Sequence, residues 1–75
     1  MEDRQAAILA RLDNDYIYHA PKGDQTDRYQ LIRANGLAYA KVIASLTPAS
    51  REQSMALTAL EQVVMYANAA IARNE

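Results

Sequence analysis

SREQSMALTALEQVVMYANAAIARN, residues 50–74, decides how this chain folds. It holds no Pro or Gly and is rich in Ala, Leu, Met, Glu and Gln, the residues that lose least entropy in a helix. Leu57, Leu60, Val64, Ala67 and Ile71 recur at alternating steps of three and four, which marks one helical face. The start of this helix has two readings. Thr47-Pro48 offers a capping hydroxyl followed by a ring tolerated at the first helical position, and Ser50 with Gln53 offers a capping box. Both place the first turn between Thr47 and Arg51, and the expected span is Pro48 to Asn74.

Working back along the chain, Asp24 to Leu46 reads as a second long helix, capped by Asp24 and stopped by Thr47-Pro48. Tyr29, Ile32, Gly36, Tyr39, Ile43 and Leu46 keep the three-four spacing and match the seam of the last helix. So short a connection predicts an antiparallel hairpin roughly 30–35 Å long. Gly36 costs about 1 kcal/mol in a helix interior relative to Ala. Facing Ala residues on the other helix, it would let the two backbones approach. Glu2 to about Leu12 predicts a short first helix, and Asp13-Asn14-Asp15 is expected to end it. The fold class is all-α, a helical hairpin preceded by a short N-terminal helix, in a single domain over residues 1–75.

Composition narrows the function classes. At 75 residues with 51% hydrophobic content and no Cys, the chain is below the size at which one core ordinarily suffices, and it has no disulfide to help. A second apolar stripe on each helix, Leu31, Ala38 and Val42 on one and Met55, Ala59, Val63, Tyr66 and Ala70 on the other, lies outside the hairpin seam. One hairpin seam cannot cover both stripes, although the first helix could cover part of this surface. A contiguous apolar patch on so small a protein is ordinarily an interface, so a homo-oligomer is expected. A formal charge of −1 with interspersed signs argues against DNA, RNA or an anionic membrane as partner. No secretory leader or apolar run approaching ~20 residues is apparent, which points to the cytoplasm.

An enzyme is disfavoured. There is no Cys nucleophile, Ser/His/Asp motif or Gly-rich phosphate loop, and neither a cofactor nor a metal is called for by one His. Glu61 reads as a charge flanking the seam. Binding is better supported, because Tyr16, Tyr18 and His19 offer flat faces for a base while Lys22, Arg28 and Arg33 offer charges for phosphate. The plainer reading is that the rings cover one end of the hairpin. Arg51 lies at a helix start whose free N–H groups favour an anion, or is simply an exposed helix-end cation.

Tyr18-His19-Ala-Pro21 before Asp24, Arg28-Tyr29 and Ile32-Arg33, then Pro48-Ala-Ser50-Arg51-Glu52-Gln-Ser54-Met-Ala-Leu-Thr58-Ala-Leu60-Glu61 and Tyr66-Ala-Asn68-Ala-Ala-Ile-Ala-Arg73-Asn74, together resemble the phage anti-CBASS and Thoeris anti-defence sponge family. The likeness runs from about Tyr16 to Asn74. It implies a hairpin protein assembled as a hexamer in the host bacterial cytoplasm, sequestering cyclic oligonucleotide or cyclic ADP-ribose signals without cleaving them. By the same resemblance the stacking ring falls on Tyr18 and the phosphate contact on Arg33, where the family often has Lys. Arg51 and Thr58 fall at a second pocket, for cyclic trinucleotides. The extra N-terminal strands of longer Thoeris inhibitors are missing, which centres the implied ligand range on cyclic dinucleotides. The rival reading is a ligand-free adaptor that uses the hairpin only to bind protein.

Overall fold

The computed structural model describes residues 2–75 and is helical throughout, with no strand among them. Three helices follow in order: α1 (Glu2–Tyr16), α2 (Gln25–Leu46) and α3 (Arg51–Asn74). The hairpin of α2 and α3 is the antiparallel pair that the matched spacing predicts.

The turn of the hairpin is built from local chemistry. Thr47 is extended at φ −124° and ψ 149°, as the residue before a proline prefers, so Pro48 ends α2. Of the two start readings, the serine cap holds. Ser50 Oγ accepts the Gln53 N–H at 3.1 Å, and α3 begins at Arg51 rather than Pro48. The Gln53 amide does not return to Ser50. It crosses the turn and donates to the carbonyls of Ala44 and Thr47, two groups left without helical partners at the end of α2. Asp24 occupies the cap position of α2 but its side chain makes no capping bond, because its carboxylate is drawn to Arg28 one turn on.

On α3 the expected seam holds: Leu57, Leu60, Val64, Ala67 and Ile71 are all half-buried. On α2 two positions differ. Tyr39 and Leu46 are exposed, and Ala40 takes the inner place between Gly36 and Ile43. Gly36 faces Val64, not Ala. A methyl added at Gly36 would sit 2.5 Å from Val64 Cγ2. Val64 is β-branched and has one favoured rotamer in a helix, so it cannot swing aside. Gly36→Ala should therefore forfeit its propensity gain to a parting of the helices. In a double-mutant cycle with Val64→Ala, thermal melts should give a coupling of about 1–2 kcal/mol. An additive cycle would mean that the helices do not touch here.

α1 continues through Asp13, Asn14 and Asp15 to Tyr16, four residues past its expected end. Two of those polar residues have distant partners that reward helical geometry: Asn14 Nδ2 donates to the Arg73 carbonyl at 2.9 Å, and Asp15 lies 3.7 Å from the Arg73 guanidinium. α1 meets the hairpin only through this end. Its apolar residues Ile8, Leu9 and Leu12 stay exposed, and it approaches the α3 stripe only at its far end without covering it, since Tyr66 and Ala70 remain exposed.

The result is a slab with Cα extents of 50 × 34 × 13 Å, one layer of helices thick. Among the described residues no apolar side chain is buried, and only Gln25 is, at 4% exposure. The radius of gyration is 16.5 Å, against about 11 Å for a compact chain of this length. The accessible surface is 6197 Å², against roughly 4,600 Å² for a folded monomer of this mass. Val42, Met55, Val63 and Tyr66 of the outer stripes are all exposed.

Candidate functional site

The candidate residues fall in three places. The first is the connection between α1 and α2. Tyr16 closes α1 and Tyr18 follows it, their side chains 85% and 84% exposed. Among the described residues no hydrogen bond fixes either side chain. His19 is different: its Nε2–H donates to the Asn14 carbonyl at 2.8 Å, ending α1 and using that nitrogen. Lys22 keeps its ammonium exposed, while its backbone pairs with Gln25 in both directions, N–H to Gln25 Oε1 and carbonyl from the Gln25 N–H, each 3.1 Å. Gly23, at φ +58°, supplies the left-handed turn this ring requires.

Arg28, read from sequence as a phosphate contact, is occupied. Its guanidinium grips Glu75 through both terminal nitrogens, one at 2.8 Å, and donates to Asp24 from Nε at 3.1 Å. The hydrogen bonds from Arg28 and then Gln25 hold the Glu75 carboxyl well below its usual range, down to about 2. The bond to Glu75 raises the guanidinium in turn. The pair is ionised at any physiological pH.

The second place is an open, largely apolar groove of about 740 Å³ between α2 and α3, lined by Leu37, Ala40, Leu60, Val64 and Met65 together with the charged Arg33 and Glu61. Arg33 is exposed and within 4 Å of no carboxylate among the described residues. It stands eight residues into α2, roughly 12 Å along the axis from the connection that carries Tyr18. Tyr18 does not line this groove, so one chain does not bring the two together. The third place is the outer face of α3. There Arg51 and Thr58, two turns apart, share a shallow depression with Ser54, Met55, Ala59 and Gln62.

The model of the Acb2/Tad1 hairpin domain matches residues 9–72. The chain belongs to the Acb2/Tad1 hairpin family. Membership agrees with the anti-CBASS and anti-Thoeris resemblance in the sequence, and the match spans Tyr18, Arg33, Arg51 and Thr58 alike. No curated protein and no solved structure matches this Acb2/Tad1 hairpin chain. Among the described residues of this Acb2/Tad1 hairpin there is no group of His, Asp and Glu that could hold a metal ion.

α3 corrects one expectation. With 24 residues and a mean hydropathy of 1.3 over its best 18-residue window, it is long and apolar enough to cross a membrane by length and composition. Its inner face nevertheless packs on α2, and its middle carries Glu61 and Gln62. Sequence reasoning also passed over Gln25, Asn14 and Glu75. Only the Asp24–Arg28 spacing of four hinted that Arg28 had a local partner.

Proposed function

We propose that the protein is a phage anti-defence sponge, a homo-oligomer of hexameric type that captures cyclic oligonucleotide immune signals in the host cytoplasm and withholds them from their effectors. The observation that carries this reading is the family match over residues 9–72, which takes in both Tyr18 and Arg33. The geometry supports it. Tyr18 presents a ring without internal partners, Arg33 a guanidinium without a carboxylate, and the slab exposes the apolar area that an obligate assembly covers. In this reading bases stack on Tyr18, with Tyr16 as a second ring, and phosphates meet Arg33. Because those residues stand apart in one chain, the pocket is completed by a neighbouring copy. Arg51 and Thr58 serve a second pocket for cyclic trinucleotides. Cyclic dinucleotides are the first choice of ligand, ahead of cyclic ADP-ribose isomers.

Capture proceeds without cleavage, since the sequence supplies no nucleophile with an oriented base. A panel of cyclic dinucleotides, cyclic trinucleotides and cyclic ADP-ribose isomers should include one that raises the melting midpoint by roughly 10–20 °C at a hundred times its dissociation constant. After heat denaturation, chromatography should recover that ligand unchanged. A linear product would make the protein an enzyme, and a panel with no shift would favour the adaptor.

A further inference from the structure

The connection that bears Tyr16 and Tyr18 is held from both ends by the last residues of the described chain. On the α1 side, His19 is tied to Asn14, and Asn14 donates to the Arg73 carbonyl. On the α2 side, Lys22 is locked to Gln25 by its two backbone bonds, and Gln25 Nε2 donates to Glu75 Oε1 at 3.1 Å. Glu75 is in turn held by Arg28, which is held by Asp24. Gln25, the single buried residue among those described, sits at the centre of this chain of bonds. Buried amides tolerate no missing partner, so its position fixes Lys22 and Glu75 together. Between the two anchor points lie only Ala20 and Pro21.

We infer that Glu75, Gln25 and Arg28 are positioning residues: they clasp the end of α3 to the Pro21–Asp24 turn and so hold the aromatic connection in its binding form, and Arg28 does not itself meet phosphate. This rests on the sponge reading for its ligand but not for its mechanics. A loose connection would have to be ordered each time a ligand bound, and that cost would appear as lost affinity. A clasped one has met it in folding. Glu75 carries an unshared role here, because its two oxygens serve Arg28 and Gln25 together and no neighbouring acid can replace it: Asp24 already accepts from Arg28 Nε.

The test is Glu75→Ala, with Glu75→Gln beside it, in the full chain. Two readouts are taken: dissociation constant by calorimetry on the folded oligomer, using the cyclic dinucleotide that gives the largest thermal shift, and the rate of tryptic cleavage after Lys22 without ligand. The clasp predicts that Glu75→Ala binds about tenfold more weakly, the cost of re-ordering roughly one residue of backbone. It also predicts faster cleavage after Lys22, with Glu75→Gln between the two because it keeps an acceptor for Gln25. If Arg28 were a phosphate ligand masked by Glu75, the same substitution would free it and tighten binding, which overturns the proposal. An unchanged cleavage rate overturns it as well, whatever the affinity does. If the unmodified protein binds none of the cyclic nucleotides, the sponge reading falls while the cleavage rates still decide the clasp.

Discussion

Val63→Glu should leave no stable helical subunit. Val63 is 60% exposed in the single chain, in the middle of an α3 stripe that neither α1 nor α2 covers. The slab leaves roughly 1,600 Å² more surface in water than a folded monomer of its mass. That excess is about twice what one partner contributes to a standard protein interface, and in the proposed oligomer it is where the missing core comes from. A carboxylate buried without a partner in that interface costs several kcal/mol, a large part of the 5–15 kcal/mol that holds a domain folded. Light scattering should find the unmodified protein as an oligomer and Val63→Glu dispersed, with circular dichroism at 222 nm losing most of its helical amplitude at micromolar concentration. Val63→Ala should do far less, since it removes two methyls and adds no charge. A Val63→Glu protein of unchanged size and helicity would mean that this face is not the interface, and an unmodified protein that is a stable monomer would remove the pockets that the sponge reading needs.

Tyr18→Ala should cost roughly 5- to 150-fold in affinity, the ~1–3 kcal/mol measured when a stacking ring is removed, and Tyr18→Phe should cost little. The structure sharpens the contrast. At 84% exposure Tyr18 is covered little by the described residues, so its removal should leave the helices as they are. Arg33→Ala should weaken binding comparably without altering oligomer size, because Arg33 is exposed, lines the groove and has no carboxylate partner among the described residues. Arg33→Lys should be milder, keeping the charge and losing the fork. If both alanine variants lower the melting temperature of the free protein while calorimetry on the folded fraction finds affinity intact, these residues are structural and the phosphate and base contacts lie elsewhere.

What could be read from the residues tracks how local the physics is. The two long helices, their pairing and the stop at Thr47-Pro48 follow from spacing and from the backbone of the residue before a proline, and all of these hold. Ala40 escaped notice because Gly36 to Ile43 can be bridged in steps of three and four or of four and three. Tyr39 is the larger apolar residue, yet beside the close approach of Gly36 to Val64 the small Ala40 takes the inner place and Tyr39 stays exposed. The end of α1 was misplaced because Asn14 and Asp15 are poor helix residues whose partner, Arg73, lies some 60 positions away. Arg28 looked available for the same reason, its main partner being 47 residues further on. Spacing in the sequence says nothing about such pairs. Tyr18 and Arg33 were legible as residue types, and the resemblance to the family supplied their pairing.

A layer of helices one helix thick has no inside, and under the proposed sponge function this bears on infection as a question of dosage. Where a compact domain is folded as soon as one copy leaves the ribosome, the proposed oligomer would borrow its core from neighbouring copies. Each chain would fold only as they accumulate, and its stability would climb with the number of copies present. The first molecules made after a phage genome enters would be loose and open to host proteases. Capacity to soak up an alarm signal would then switch on over a narrow range of expression, which makes promoter strength as much a part of this protein's design as any side chain in its pockets.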